Sequence, residues 1–248
     1  MQTIYILWLR QIKRYLRSRS RIVGSLGQPV LFLFALGFGF GPTFAAANGG
    51  DYISFLAPGV ISMSILFTSM FSGVEIIWDR QFGFLKETLV APVPRINIMI
   101  GRTLGGATVA VMQGLIVFAI CFIAGFRPES WVMVPVAFVF MFIIALLFTA
   151  LGTAFGSALQ DFQGFQLIMN FLVMPLFFLS GALFPLENAP VALQFIARID
   201  PLSYGVDGIR ESLTGISHFG LGTDFAVLTV ITALCIWFGS WLFSRIQA

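Results

Sequence analysis

Residues able to do enzyme chemistry are few in this chain, and their neighbours rule out the common motifs. Only two lysines occur among the 248 residues, Lys13 followed by Arg14 and Lys86 followed by Glu87. A phosphate-cradling loop needs Gly-Lys followed by a hydroxyl residue, so no nucleotide-binding loop of that type is present. The one histidine, His218, excludes both HExxH and any multi-histidine metal centre. No GxSxG raises a nucleophilic serine. Cys121 and Cys235 sit in apolar runs without metal-ligand spacing and read as small packing residues. The chain is therefore expected not to be an enzyme and to bind no cofactor and no metal of its own.

Charge concentrates instead in residues 78–102, WDRQFGFLKETLVAPVPRINIMIGR, which interrupt two long apolar runs and carry Arg80, Lys86, Arg95 and Arg102. Read as a helix over 79–90, the stretch puts Phe82, Leu85 and Leu89 on one narrow stripe. Arg80, Glu87, Thr88 and one isolated aromatic, Phe84, face the other way. Pro92 and Pro94 then stop the helix, since each lacks an N–H and restricts its predecessor. A short amphipathic helix between two membrane spans, with an aromatic on its polar face, is a handle for a soluble partner; the alternative is an ordinary basic cytoplasmic loop.

The elements that would hold this stretch follow from composition. Hydrophobic residues make up 58% and charged residues 10%, against about 25% charged in a soluble domain. Mean hydropathy is +0.94. This is the profile of an all-α polytopic membrane protein, and a net charge of +3 gives no reason to expect nucleic acid as a partner. Six stretches are free of charged side chains: 22–50, 52–74, 103–126, 130–160, 162–186 and 225–244. Each can hold about 20 residues of spanning helix. Residues 1–21 hold six basic residues and no acid. On a helical wheel Ile4, Tyr5, Trp8, Ile12, Tyr15 and Leu16 share one half, while Leu7 and Arg19 break the pattern. An interfacial helix with its aromatic side in the acyl boundary is expected, in contact with membrane lipid. The competing signal-peptide reading, with cleavage at Ala45-Ala46-Ala47, has to treat the spanning-length run 22–41 as an h-region.

Six spans return both termini to one side. With that side cytoplasmic, eleven of the fourteen basic residues lie inside and Arg127, Arg198 and Arg210 outside, as the positive-inside rule demands. Residues 157–166, with Asp161, turn the chain inside. Residues 185–224 are too long for a plain connector. Within them 191–197 is apolar but too short to cross. After Asp200-Pro201, Leu202, Val206, Ile209 and Leu213 recur at helical spacing, opposite Asp207, Arg210 and Glu211. Two short re-entrant helices, or a loop packed on the outer ends of the bundle, would bury those apolar residues.

The span interiors are expected to hold essentially no ionisable residue, with Glu75 interfacial, which argues against proton or sodium coupling. They hold many of the chain's 29 phenylalanines and the amides Gln28, Gln113, Gln166 and Asn170. Gly37/Gly41, Gly101/Gly105 and Gly152/Gly156 have the spacing of close helix packing.

These features together resemble the membrane subunit of an ABC-2 type exporter, the permease family of daunorubicin-resistance and lipo-oligosaccharide exporters. The resemblance covers nearly the whole chain as a single domain, 1–248. It rests on Asp79-Arg80 with Gly83, Glu87, Leu89 and Pro92; on Ser180-Gly181-Ala182-Leu183-Phe184-Pro185 with Glu187 and Pro190; and on Asp200-Pro201-Leu202-Ser203-Tyr204 with Asp207 and Arg210. Asp200 stands where asparagine is frequent, Ser203 where threonine is frequent, and Ala91 where a hydroxyl residue often precedes the proline. The resemblance implies an interfacial helix (1–21), a coupling helix (78–102) and outer re-entrant helices (185–224). It also implies two permeases, as a homodimer, with two ABC ATPase subunits that bind the ATP, in the plasma (inner) membrane. Under it, Arg80, Phe84, Lys86 and Glu87 are expected to engage the ATPase. Phe82, Leu85 and Leu89 seat the coupling helix, and Tyr204, Asp207 and Arg210 shape an outer gate. The expected cargo is an amphipathic drug or lipid entering from the inner leaflet. The alternatives are a lipid-linked polysaccharide or oligosaccharide, or, in another class, an ATP-independent channel or scramblase.

Overall fold

The computed structural model describes residues 2–48, 51–83, 93–186 and 189–244. They are helices joined by short connectors, with no strand among the described residues. In chain order these are α1 (Gln2–Arg17), α2 (Arg19–Asn48), α3 (Tyr52–Phe71), α4 (Val74–Gln81), α5 (Arg95–Ile123) and α6 (Val134–Ala158). Next come α7 (Phe162–Leu179), α8 (Val191–Ile199), α9 (Pro201–Thr214) and α10 (Leu221–Ser244). Six stretches are long and apolar enough to cross a membrane: α2, α3 together with α4, α5, α6, α7 and α10. The expected all-α polytopic architecture is what the chain adopts.

The bundle is built around α3. Asp51 caps its first turn, accepting from the N–H groups of Ile53 and Ser54. Small and aliphatic residues such as Leu56, Ala57, Val60 and Ile61 are then buried on all sides, as befits a helix surrounded by other helices. Ser72-Gly73 interrupts the ladder and sets off α4. Here a Cβ on Gly73 would collide with the backbone of Gly152 on α6, and one on Gly156 with the backbone of Gly73. The predicted Gly152/Gly156 pair is thus a backbone-on-backbone contact with the α3–α4 joint.

At one end α1 and α4 meet the first turns of α5. At the other, α8 and α9 pack without crossing, being only 9 and 14 residues long. Asp200 caps α9 through Leu202 N–H at 2.8 Å, Pro201 occupies its first turn, and Gly215 at φ 69° ends it. Leu202, Val206, Ile209 and Leu213 are all buried, as their spacing predicts. Within α7 the run Met169–Val173 widens to a π-turn just before Pro175, which has no N–H to continue an α ladder.

Three expectations change. The fifth helix begins at Arg95, so Arg102 lies inside a helix. The 157–166 loop shrinks to a turn at 159–161, with Asp161 capping α7 through Gly164 N–H at 2.7 Å. The helix read over 79–90 does not start at Asp79: residues 79–81 are the last turn of α4, which stops at Phe82 and at Gly83 with φ 81°. Phe84, Leu85, Lys86, Glu87 and Leu89 lie outside the described residues.

Candidate functional site

Polar chemistry gathers at the α1 end of the bundle. Glu75 and Asp79 are one turn apart on α4 and both point inward, 2% and 6% exposed. Arg21 of α2 donates to Glu75 Oε1 at 2.7 Å, and Arg14 of α1 approaches Oε2 at 3.6 Å. Arg102, reaching from α5 and itself buried, pairs with Asp79, and Arg10 of α1 stands 3.8 Å from the same carboxylate. Two acids thus hold arginines from three different helices. Burying such pairs is costly unless each charge keeps its partner, so the cluster fixes α1, α2, α4 and α5 relative to one another. Arg80 adds α6, donating to the carbonyls of Leu159 at 2.8 Å and Ser157 at 2.9 Å. These lie at the C-terminal end of α6, where a cation is favoured by the unpaired carbonyls.

The interfacial helix is docked more tightly than expected. Its aromatic side faces α5, not the acyl chains alone: Trp8 Nε1 donates to Thr108 Oγ1 at 3.0 Å and the Tyr15 hydroxyl donates to Gln113 Oε1. Burial raises the Tyr15 phenol above its usual pKa, keeping it a donor. Leu7, the residue that broke the helical wheel, lies on Gly101, and Gln11 lies on Gly105. The absence of side chains at these two positions lets α1 approach the backbone of α5. Tyr5 and Leu16 remain exposed.

Beside the charge cluster lies a cavity of ≈ 470 Å³ between α1, α2, α3, α4 and α7. Phe67, Phe71, Trp78 and Phe162 form an apolar wall, and Gln28 and the Arg21–Glu75 pair supply its polar corner. Its size and mixed lining suit a small molecule with one apolar body and one polar end.

The other predicted site residues divide by location. Phe82 is 73% exposed and does not pack on the spans, because the turn at Gly83 carries it outward. Arg80 is turned inward onto α6. Tyr204, Asp207 and Arg210 come together around the 181–185 and 215–220 connectors. Tyr204 donates to the Arg198 carbonyl and stacks on Phe219. Asp207, 3% exposed, accepts from the His218 and Phe219 N–H groups. Arg210 donates to the Gly181 carbonyl at 2.8 Å and lies over the Phe55 ring. Ionisable groups are buried towards both ends of the bundle: Glu75, Asp79, Arg102, Asp207, Arg210 and Asp224. Five of them meet polar partners from neighbouring elements, whereas Asp224 faces other carboxylates. The signal for the first two was available, as acids four residues apart share one helix face.

The profile described as ABC-2 type transporter matches residues 2–214. The chain is 30% identical over 230 residues to the inner membrane transport permease YadH of Escherichia coli (strain K12), covering 90% of this chain and 88% of that protein. It is 28% identical over 212 residues to Nodulation protein J of Rhizobium leguminosarum bv. viciae, covering 84% and 81%. Nodulation protein J of Rhizobium meliloti (strain 1021) is 28% identical over 206 residues, covering 82% and 78%.

Proposed function

Because the chain belongs to the ABC-2 type transporter family and is a multi-pass transport permease, we propose that it is the membrane subunit of an ATP-driven exporter of amphipathic drugs or lipids. In this reading it sits in the inner membrane with both termini cytoplasmic, and two copies pair with two ABC ATPase subunits that bind and hydrolyse the ATP. The observation that carries the reading is the way both flanks of residues 84–92 are anchored. On one side Asp79 and Arg80 tie α4 to α5 and α6. On the other, Val93 packs against Ile76, Ile98, Met99 and Phe243. Force applied by a partner to the segment between them reaches four helices through short, buried contacts. Phe84, Lys86 and Glu87 are the groups assigned to touch the ATPase, and Leu85 and Leu89 those assigned to seat the segment. Arg80 transmits from behind it.

The cavity beside Arg21 and Glu75 supports the cargo class. With the termini cytoplasmic, as proposed, it lies at the inner end of the bundle; its walls are aromatic, and its volume fits a drug-sized ligand better than a bulky glycan. Tyr204, Asp207 and Arg210 hold the opposite end together and are assigned to its opening during release.

The test is co-purification of the permease in lipid nanodiscs with the ATPase encoded by the neighbouring reading frame, followed by ATPase and transport assays. A stable complex is expected, with amphipathic compounds raising ATP turnover. The Phe84→Ala/Arg80→Glu double variant should insert normally, hydrolyse ATP and fail to transport. Full-rate transport by that variant sinks the coupling assignment; a permease indifferent to any ATPase sinks the exporter reading.

A further inference from the structure

At the end of the bundle away from α1, three carboxylates converge from two elements. Asp207 and Glu211 lie one turn apart on α9, and Asp224 comes from the first turn of α10. One oxygen of each lies within 4.8 Å of the other two. Asp207 is held in place by the N–H groups of His218, at 2.9 Å, and Phe219, at 2.7 Å, with the Ser217 hydroxyl at 3.4 Å. Asp224 is placed differently. It is 0% exposed, and neither of its oxygens meets a hydrogen-bond donor among the described residues; Glu211 Oε2 is in the same position. A buried carboxylate without a donor is costly, and two further carboxylates beside it raise the cost.

We propose that Asp207, Glu211 and Asp224 form a calcium site that ties α9 to α10. An all-carboxylate donor set selects hard divalent cations over metals that favour nitrogen or sulfur. The three ligand atoms, all within 4.8 Å of one another, are near enough to share one ion, since two oxygens on opposite sides of calcium at about 2.4 Å are about 4.8 Å apart. Calcium, which takes about six to eight oxygens in flexible geometry, tolerates this irregular carboxylate set better than magnesium, which demands a near-ideal octahedron at about 2.1 Å. Water and the second oxygens of the carboxylates complete the shell. The cation supplies the charge that Asp224 lacks, and it bridges the connector 215–220, which turns at Gly215 and Gly220 with φ 69° and 95°.

The experiment uses the full chain in nanodiscs of zwitterionic lipid, stripped with EGTA and titrated with calcium chloride. Radioactive calcium binding and thermal unfolding are followed in parallel. One calcium per chain and a rise in Tm are expected. Glu211→Gln, at the partly exposed ligand, should weaken binding by about 10-fold or more, since even second-sphere changes cost about 10–100-fold at metal sites. Asp224→Asn should abolish binding and raise the Tm of the metal-free protein. Three results overturn the site: calcium binding or Tm unchanged in both variants; magnesium matching calcium at equal concentration; or acidification in EGTA reproducing the whole Tm rise, which would mean protons shared among the carboxyls instead of a metal.

Discussion

Removing one partner of the Asp79–Arg102 pair strands a charge that the bundle has already stripped of water. Arg102→Met is expected to cost about 3–5 kcal/mol, and the double variant Asp79→Asn/Arg102→Met to recover much of that loss. Unfolding of the two variants in titrations with denaturing detergent checks both values. A second prediction belongs to Asp200. Burial pushes its carboxyl from 3.8 up to about 7. The folded chain therefore binds a proton there that the unfolded chain has released, and stability falls as pH rises from about 4 through about 7. Asp200→Asn keeps the oxygen that caps Leu202 N–H and removes the titration. Its Tm should exceed that of the wild type above pH 7 and lose the slope below it, as measured by unfolding between pH 4 and 8. At this scale the sequence reveals acids and arginines but not their pairing. Glu75 and Asp79 can be seen to share a face, yet their partners lie 54 and 23 residues away and are brought to them only by helix packing.

Helix α1 stays on α5 because Gly101 and Gly105 leave room for it. A Cβ at Gly105 would sit 2.7 Å from Gln11 Cγ and 2.8 Å from its Cβ, so Gly105→Leu should lift α1 away while leaving the spans inserted. Labelling of Leu7→Cys by a membrane-impermeant maleimide should rise several-fold in that background, and ATP-driven transport should fall with it; unchanged labelling would refute the docking role. The Gly101/Gly105 spacing advertised close packing, but spacing alone does not say which helix arrives. The start of α9 was readable because Asp200 and Pro201 mark it chemically and the apolar spacing from Leu202 to Leu213 follows; its end at Gly215 comes from the structure. The start of the helix read over 79–90 was misplaced for the converse reason, since residues 79–81 belong to the last turn of α4. Gly83 offers a helix stop inside that stretch, and the chain takes it with a positive φ; Leu85 and Leu89 of its apolar stripe lie outside the described residues. The π-turn of α7 had no counterpart in the periodicity at all.

Across the molecule, burial is unequal. Of the apolar stretch in α3 and α4, 78% is covered within the chain, against 22% for α7 and 17% for each of α2 and α10. Phe34, Phe38 and Phe40 on α2 and Phe171 on α7 are exposed, surfaces that suit lipid or a second copy. Native mass spectrometry of the purified transporter should give two permeases with two ATPases; a one-to-one complex would contradict the proposed assembly. Six spans were legible because charge avoids hydrocarbon, whereas the uneven covering emerges only from the packed bundle. The crowded glycines turn this unevenness into a genetic readout. Gly59 and Gly73 abut the backbones of Ala182 and Gly152, so a randomised library selected for transport should return glycine alone at both. Gly24, Gly27, Gly39 and Gly41 of α2 have nothing within 4 Å of a Cβ, and no contact inside the chain forbids a larger residue there. Any intolerance at those four codons is a footprint left by a neighbour from outside the chain, and its pattern along α2 maps where that neighbour rests.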